Sequence, residues 1–263
     1  GEERVFPFKE RSMLSSQAAN VFRKYGIGRG DKVMLILKRH YQYWYALLGL
    51  HKLGAVAIPA THMMTERDIA YRVKKAGIKL ILCTPEENIP QYVAEAQKEC
   101  TELTSCMIVK GSKDGFVDFD QEIEGAETVF TRVMTKHDDS MLLYFTSGTT
   151  GEPKGVLHDF SYPLGHIVTA KYWQCVVEGG LHLTLADTGW AKAAWGKIYG
   201  QWLSGSAVMA YDYDHFYANE ILRIIEKYKV TSFCAPPTIY RYMVRAKLTQ
   251  YDLSSLKEVT TAG

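Results

Sequence analysis

The sequence has few cysteines and no paired motif among them, which argues against a protein held together by disulfide bonds. The five thiols form no C-x-x-C pair, and their odd number does not suit a disulfide framework. They are Cys83, Cys100, Cys106, Cys175 and Cys234. Unpaired thiols are typical of a reducing compartment, so we expect a cytoplasmic protein.

Long apolar runs are also missing. No uninterrupted apolar stretch approaches the roughly 18 residues that span a bilayer, and the first residues show no apolar signal-peptide region. We therefore expect a soluble protein with no transmembrane segment.

The chain lacks an excess of charge of one sign. It carries 31 basic and 29 acidic residues, for a net charge of +2, and no long run of Lys and Arg. A nucleic-acid partner is therefore not expected. The densest basic segment, Arg72-Val73-Lys74-Lys75, has a helical pattern and is interpreted as a solvated helix face.

Clusters of metal-binding side chains are scarce as well. The pair Asp138-Asp139 and the run Asp212-Tyr213-Asp214-His215 lie in turn-like segments without a second matched cluster. We assign no metal site built by the protein alone.

What the sequence does contain is a regular alternation of helical and strand-like segments. The alternation runs from about residue 12 to residue 109 and again from residue 141 to residue 235. Repeated strand–helix units with apolar strands predict an α/β fold of two doubly wound, mainly parallel sheets flanked by helices. Residues 111–138 lose the pattern and are interpreted as a linker. We expect a first α/β subdomain over residues 1–138 and a second over residues 139–263.

The most informative segment is Thr146-Ser147-Gly148-Thr149-Thr150-Gly151-Glu152-Pro153-Lys154, which Gly155 follows. Glycines let backbone N–H groups turn toward an anion, hydroxyls donate hydrogen bonds, and a lysine adds a mobile positive charge. The combination predicts an exposed loop that binds a polyphosphate. It differs from the Walker A pattern, in which the lysine directly follows a glycine. Composition alone leaves open a Gly/Thr-rich turn between a strand and a helix.

The segment from Tyr144 to Gly155 resembles the signature of the acyl-adenylate-forming (AMP-binding) superfamily. Three later stretches resemble its acyl-CoA synthetase branch, of the acetyl- and medium-chain type, and they occur in the expected order. These stretches are Ala186-Asp187-Thr188-Gly189-Trp190, Phe233-Cys234-Ala235-Pro236-Pro237-Thr238 and Val259-Thr260-Thr261-Ala262-Gly263. The resemblance covers roughly residues 5 to 263. It implies an ATP-dependent carboxylic acid:CoA ligase of fatty acid metabolism that forms an acyl-AMP and releases pyrophosphate.

The resemblance also implies roles for individual residues. Lys154 and Thr146 take the catalytic positions, and Glu152, at the variable position of the motif, is interpreted as a loop residue without a catalytic role. The implied nucleotide-binding residues are Thr146, Ser147, Gly148, Thr149, Thr150, Gly151, Glu152, Pro153, Lys154 and Gly263. Trp190, Ala191 and Lys192 are implied to line the acyl or thiol pocket. The implied cofactors and partners are ATP, Mg²⁺, coenzyme A and a small carboxylic acid.

His158 follows the loop and could be read as a general base. The implied reaction uses a carboxylate that is already ionised near neutral pH, so no base is required. We interpret His158 as a structural residue or as a residue at the entry to a helix.

The chain is expected to be an N-terminal fragment. It begins without Met and ends at Gly263, whereas the resembling enzymes continue with a magnesium ligand, a ribose clamp and a small C-terminal domain that carries a catalytic lysine. We therefore expect this chain alone to be inactive. An adenylation domain that loads a carrier-protein thiol, and a nucleotide-binding module without catalysis, are the alternatives; a P-loop phosphotransferase is disfavoured. The acid and the oligomeric state are left open.

Overall fold

A computed structural model describes residues 2–146 and 151–261. The chain divides into two compact units, Gly1–Phe160 and Ser161–Gly263, called here the first and second units. Each unit has its own sheet and its own apolar cluster.

The first unit is an α/β layer structure around a seven-stranded sheet. Its helices are α1 (Phe8–Lys24), α2 (Gln42–Leu53), α3 (Glu66–Ala76), α4 (Ile89–Glu99) and α5 (Phe119–Gly125). Its strands are β1 (Lys32–Ile36), β2 (Val56–Pro59), β3 (Ile78–Cys83), β4 (Ser105–Ile108), β5 (Val117–Asp118), β6 (Ser140–Thr146) and β7 (Lys154–Asp159). The strand order is β5-β4-β3-β1-β2-β6-β7, and only β7 runs antiparallel to its neighbour.

Apolar strands explain why this sheet is covered by helices. All four residues of β2 are buried, and so are all residues of β3 except Lys79. Strands buried on both faces need helices on both sides, which the intervening helical segments supply. One apolar cluster joins α3, α4 and the sheet through residues that include Ile69, Val93 and Leu143.

Helix α3 begins and ends at residues with clear local signals. Thr65 caps its first turn and forms a reciprocal capping box with Asp68, and Gly77 ends the helix in the left-handed conformation at φ 67°. This helix lies next to the predicted phosphate loop, so its position affects the site described below.

The second unit is built on a four-stranded parallel sheet in the order β11-β10-β8-β9. Its strands are β8 (Leu181–Thr184), β9 (Ala207–Met209), β10 (Ser232–Ala235) and β11 (Glu258–Thr261). Its helices are α6 (Tyr162–Tyr172), α7 (Ala191–Lys197), α8 (Tyr199–Leu203), α9 (Ala218–Tyr228) and α10 (Pro237–Met243), with a 3-10 helix at Leu248–Gln250. The predicted fold class, two mainly parallel sheets flanked by helices, is confirmed.

The boundary between the units differs from the expected one. Strands β6 and β7 complete the first sheet, so residues 139–160 belong to the first unit and not to a second subdomain. The physical reason is that Leu142 of β6 pairs with Ala57 of β2, which extends the parallel sheet across the expected boundary.

The segment interpreted as a linker also contains structure. Strand β5 and helix α5 occupy part of residues 111–138, and Asp118 caps α5 by accepting a hydrogen bond from the backbone of Gln121. The buried ring of Phe119 anchors the helix, with its centroid 5.6 Å from that of Phe22. A single anchored aromatic in an acidic segment is a weak periodic signal, which is why the sequence pattern missed it.

No helix among residues 2–146 and 151–261 is long and apolar enough to cross a bilayer.

Candidate active site

The predicted phosphate loop connects two antiparallel strands of the first unit. Strands β6 and β7 pair from Ser140 and Asp159 at one end to Thr146 and Lys154 at the other. The predicted loop therefore lies between the two strands of a hairpin at the edge of the sheet, and it is followed by β7 and not by a helix. Pro153 fits this arrangement, because it lacks an N–H and stands just before the first ladder residue of β7.

The two residues implied to be catalytic face each other across this hairpin. Thr146 and Lys154 form the last residue pair of the ladder, and both are exposed. Directly opposed side chains of an antiparallel pair lie on the same face, with Cβ atoms about 4.5–5.5 Å apart. The structure therefore brings the hydroxyl and the ammonium-bearing side chain together at the mouth of the loop.

The neighbouring pair, Phe145 and Gly155, points to the opposite face. Phe145 packs against the apolar cluster under α3 and α4. A Cβ on Gly155 would lie 3.1 Å from the side chain of Leu143, which favours glycine at this position. Alternation along the strands thus places Phe145 and Gly155 on one face of the hairpin and Thr146 and Lys154 on the other.

The remaining loop residues fall into two groups. Gly151 has φ 106°, a conformation that favours glycine, and Glu152 is exposed beside it. Ser147, Gly148, Thr149 and Thr150 lie outside the described residues, and so does Gly263. Their implied roles in nucleotide binding stay predictions.

Helix α3 contacts both sides of the loop, which the sequence pattern did not indicate. The Tyr71 hydroxyl donates a hydrogen bond to the Pro153 carbonyl at 3.1 Å. The Arg72 guanidinium lies 5.4 Å from the centre of the Phe145 ring, and its side chain is only 14% exposed. The interpretation of the basic segment as a solvated face is therefore wrong for Arg72. The Pro153 carbonyl that Tyr71 bonds and the Phe145 ring that Arg72 contacts lie more than 70 residues further along the chain, so no local periodicity could reveal them.

His158 lies in β7 and not at the start of a helix. Its ring packs edge-on against Tyr144 with centroids 6.0 Å apart. Burial lowers its pKa, which favours the neutral form. A packed, neutral ring agrees with a structural role.

In the second unit, the predicted pocket residues lie where a turn leads into α7: Trp190 caps the helix, and Ala191 and Lys192 are its first two residues. The Asp187 carboxylate accepts a hydrogen bond from the Gly189 amide at 2.8 Å, and the Asp187 carbonyl accepts one from the Trp190 amide at 3.2 Å. Trp190 is 57% exposed, so it is not a core tryptophan. Ala191 and Lys192 are partly exposed next to it, and burial lowers the pKa of Lys192. The turn therefore presents an indole ring and a cationic side chain together.

A buried lysine holds the base of this turn. Lys197 of α7 is 1% exposed, and its ammonium donates a hydrogen bond of 2.8 Å to the carbonyl of Ala186. Composition did not single it out, because a lysine in a short helical segment is usually solvated.

A buried histidine joins three elements behind the same turn. His182 of β8 is hydrogen-bonded to Ser232 of β10 at 2.6 Å and to Thr184 at 2.7 Å. The Thr184 hydroxyl donates to the Gly196 carbonyl of α7 at 2.8 Å. Burial lowers the pKa of His182 to about 4, so the ring is neutral at physiological pH. This network ties the strands of the second sheet to the helix that carries the pocket residues.

The remaining predicted stretches lie at the carboxyl ends of β10 and β11. Ala235 ends β10, Pro236 and Pro237 begin α10, and the hydroxyl of Thr261 donates to the Ala235 carbonyl at 3.0 Å. An apolar groove of about 500 Å³ runs between α10 and β11. Within the described part of the chain, no group of three or more His, Cys, Asp or Glu side chains is arranged to hold a metal ion.

A family model described as "AMP-binding enzyme" matches residues 2–263. Among curated relatives, "Acyl-coenzyme A synthetase ACSM3, mitochondrial" of Mus musculus is 36% identical over 266 residues, covering 100% of this chain and 46% of the relative. "Acyl-coenzyme A synthetase ACSM5, mitochondrial" of Homo sapiens is 33% identical and covers 100% of this chain and 45% of that protein. The chain thus spans about half the length of the curated relatives it matches.

Solved structures share the fold. A crystal structure of Brucella canis acyl-CoA synthetase matches 100% of this chain and 50% of that one, with a TM-score of 0.89 and 24% identity. The anthranilate CoA ligase AuaEII in complex with anthranoyl-AMP matches 97% of this chain and 50% of that one, with a TM-score of 0.86 and 24% identity. At this identity the likeness concerns the fold alone.

Proposed function

The chain belongs to the AMP-binding enzyme family, and from that premise we propose that it is the nucleotide-handling part of an ATP-dependent carboxylic acid:CoA ligase. In the proposed reaction, a carboxylate oxygen attacks the α-phosphorus of ATP, the bond to the bridging oxygen breaks, and pyrophosphate leaves. A thiolate then attacks the acyl carbon of the acyl-AMP, and AMP leaves with its carboxyl oxygen.

The observation that carries the proposal is the pairing of Thr146 with Lys154 at the mouth of the glycine-rich hairpin. A carboxylate and a triphosphate repel each other, so the reaction needs positive charge and oriented donors where pyrophosphate charge builds up. Lys154 would supply the charge and Thr146 a hydroxyl donor. Both residues are exposed and share one face of the hairpin. Glu152 is also exposed and is proposed to point away from the phosphates, because a carboxylate beside them is unfavourable.

Magnesium is proposed to arrive with the nucleotide. The described residues around the hairpin mouth provide a hydroxyl and an ammonium but no matched group of carboxylates. Mg²⁺ in such sites is held largely by substrate phosphates with few protein ligands. We therefore treat it as part of the MgATP substrate.

Trp190, Ala191 and Lys192 are proposed to act on the acyl and thiol side of the reaction. The exposed indole of Trp190 gives a flat apolar wall, and Ala191 beside it leaves room for more than a two-carbon acid. Lys192 would face the phosphates of coenzyme A. Two relatives named acyl-coenzyme A synthetases favour coenzyme A over a carrier-protein thiol, which stays the alternative. Activation of acids for fatty acid metabolism is the proposed physiological role.

The test is ATP–pyrophosphate exchange with a panel of straight-chain and aromatic acids. It should be run on this chain and on a form that includes any natural sequence beyond Gly263. Exchange that depends on an added acid would support adenylation, and the preferred acid would define the substrate. If neither form exchanges but nucleotide still binds, the ligase proposal fails and a binding module takes its place.

The choice of thiol needs a second assay on the active form. Acyl-thioester produced with free coenzyme A supports the leading proposal. Thioester formed only on a carrier protein would overturn it in favour of an adenylation domain.

Localisation to the cytoplasm is likewise a proposal. All five cysteines are free thiols, which fits a reducing compartment. The mammalian relatives are named mitochondrial, and fractionation of cells that express the natural protein would decide between the two compartments.

A further inference from the structure

Helix α3 touches the phosphate hairpin at two places, one on each strand. We call Phe145, Thr146, Pro153 and Lys154 the loop base, because they flank the turn where β6 ends and β7 begins. Tyr71 contacts Pro153 on the β7 side, and Arg72 contacts Phe145 on the β6 side. Two consecutive residues of one helix therefore hold both sides of the loop base.

The Tyr71 contact fixes the backbone next to Lys154. The carbonyl oxygen of Pro153 and the amide nitrogen of Lys154 belong to one rigid peptide plane. A hydrogen bond of 3.1 Å to that oxygen thus limits rotation of the plane from which the Lys154 side chain departs. Pro153 itself cannot donate to the ladder, so the Tyr71 contact adds a constraint just before β7 begins.

The Arg72 contact fixes the strand next to Thr146. The Asp68 carbonyl accepts a hydrogen bond from Arg72 at 2.8 Å, and the Asp68 carboxylate lies 3.5 Å from the same guanidinium. Asp68 is in turn held by Thr65 in the capping box. The guanidinium lies over the Phe145 ring, and only 14% of the Arg72 side chain is exposed, so the contact is largely shielded from water.

We infer that Tyr71 and Arg72 are positioning residues for the phosphate loop, acting through Pro153 and Phe145 to orient Lys154 and Thr146. The inference rests on the proposed role of this loop in binding ATP. Groups that must be ordered when a ligand binds cost affinity. Fixing the backbone at Phe145 and Pro153 beforehand reduces that cost for Thr146 and Lys154 and places the lysine where phosphate charge develops.

The experiment compares conservative variants that remove one contact each. Tyr71→Phe deletes the hydroxyl and keeps the ring, and Arg72→Lys keeps the charge and loses the planar group that stacks on Phe145. Tyr92→Phe is the matched control, because Tyr92 lines the same open groove of about 550 Å³ as Tyr71. Its hydroxyl accepts a hydrogen bond of 3.5 Å from Asn88, four residues earlier.

We expect a loss that is selective for the nucleotide. In the active form of the protein, Tyr71→Phe should lower kcat/KM for ATP by about fivefold, the size expected for one neutral hydrogen bond. Arg72→Lys should act in the same direction. In both variants, the KM for the acid and the melting temperature should match those of Tyr92→Phe. A merely structural role would instead lower the melting temperature without a selective loss in kcat/KM for ATP.

A second measurement does not depend on catalysis. Hydrogen exchange at the amides of Lys154 and Gly155 should be faster in Tyr71→Phe than in Tyr92→Phe, because the loop base is less constrained. Equal exchange in the two variants would overturn the inference.

Lys154→Ala separates this inference from the proposed function. Suppose that Lys154→Ala abolishes acid-dependent ATP–pyrophosphate exchange while Tyr71→Phe and Tyr92→Phe have the same kcat/KM for ATP. Positioning by α3 is then wrong, and the assignment of the loop to ATP binding stands. If Lys154→Ala leaves ATP–pyrophosphate exchange unchanged, the proposed role of the loop in the reaction is wrong. In that case the amide-exchange comparison alone decides whether α3 orders the loop base.

Discussion

Lys154 is the side chain on which the proposed chemistry depends most. It is exposed and directly opposite Thr146, so its ammonium can reach an anion held by the loop without breaking the ladder. Lys154→Ala should lower acid-dependent ATP–pyrophosphate exchange by about 100- to 1,000-fold, the loss typical of one transition-state donor. Steady-state exchange rates at saturating ATP measure this effect.

The control for that substitution is another exposed lysine of the same unit. Lys98 pairs with Glu95 on the surface of α4 and is far from the hairpin in sequence. Lys98→Ala should leave exchange unchanged, because exposed ion pairs contribute little. Equal rates for Lys154→Ala and Lys98→Ala would remove Lys154 from the mechanism.

Lys197 stabilises the turn that precedes the predicted pocket residues. Its ammonium is buried and donates to the Ala186 carbonyl, one residue before the Asp187 turn. Lys197→Ala leaves a cavity and an unsatisfied carbonyl, so it should lower the free energy of unfolding by about 2–4 kcal/mol. Chemical denaturation monitored by circular dichroism tests this value.

Lys197→Met is the matched comparison. Methionine keeps most of the volume and also removes the desolvation penalty of a buried charge, so the loss should be smaller than with alanine. Equal stability of the alanine variant and the unmodified protein would show that this lysine does not hold the turn.

Several residues that hold the site through distant polar contacts could not be found from the sequence. The partners of Tyr71 and Lys197 are backbone carbonyls, and every residue type offers a carbonyl, so the pairing leaves no compositional trace. His182 bonds to Ser232, 50 positions away, and only the pairing of β8 with β10 brings them together. Local patterns identify which segments are buried but not which distant polar groups meet.

At the scale of elements, the strongly periodic segments were predicted well. The alternation of helical and strand-like segments includes helix α3, whose two ends the structure marks with a capping box at Thr65 and a left-handed Gly77. It missed β7, whose residues from Lys154 to Asp159 alternate weakly and are mostly exposed. An edge strand needs no apolar face of its own, so its pairing depends on β6 and not on its composition.

The network around His182 predicts how the second sheet responds to pH. Burial lowers the pKa of His182 from 6.5 to about 4. As the pH falls, the unfolded chain therefore binds this proton before the folded one does. The contribution of His182 to the free energy of unfolding is at its full value above about pH 6.5. It should decrease by about 3 kcal/mol as the pH approaches 4. Urea denaturation across this range measures the decrease.

His182→Gln gives the comparison for this effect. Glutamine cannot take up a proton, so the variant should lose less stability between pH 6.5 and 4 than the unmodified protein. His51 contributes a background in the same direction from the first unit, because burial lowers its pKa to about 3. Identical pH profiles for the two proteins would show that His182 is not the responsible group.

At the scale of the whole molecule, the chain consists of two units with separate sheets and separate apolar clusters. The alternation of helices and strands predicted both sheets, but it placed the division at residue 138 instead of after Phe160. The error follows from the loss of pattern over 111–138, which suggested a linker. Sheet membership is decided by pairing across the sequence, here by Leu142 with Ala57, and not by the regularity of the segment in between.

The two sheets share no strand, so a destabilising substitution in the second unit should act mainly on that unit, and Gly200 provides the test. It lies in α8, and a Cβ there would overlap the carbonyl oxygen of His166 and come within 2.7 Å of the Ala170 side chain in α6. Gly200→Ala must push these two helices apart, which should lower the stability of the second unit by about 1–3 kcal/mol. Hydrogen exchange resolved by peptide should show faster exchange in the second unit and nearly unchanged exchange in the first.

Gly165→Ala is the control for this prediction. Gly165 lies in α6, and a Cβ there would meet no atom of residues 2–146 and 151–261 within 4 Å, so alanine should only add helix propensity, about 0.5–1 kcal/mol of stabilisation. If Gly200→Ala instead accelerated exchange equally in both units, the two clusters would unfold as one cooperative body. Any destabilising substitution in the second unit would then also weaken the hairpin that carries Lys154. A loss of activity in such a variant could no longer be assigned to the pocket residues alone.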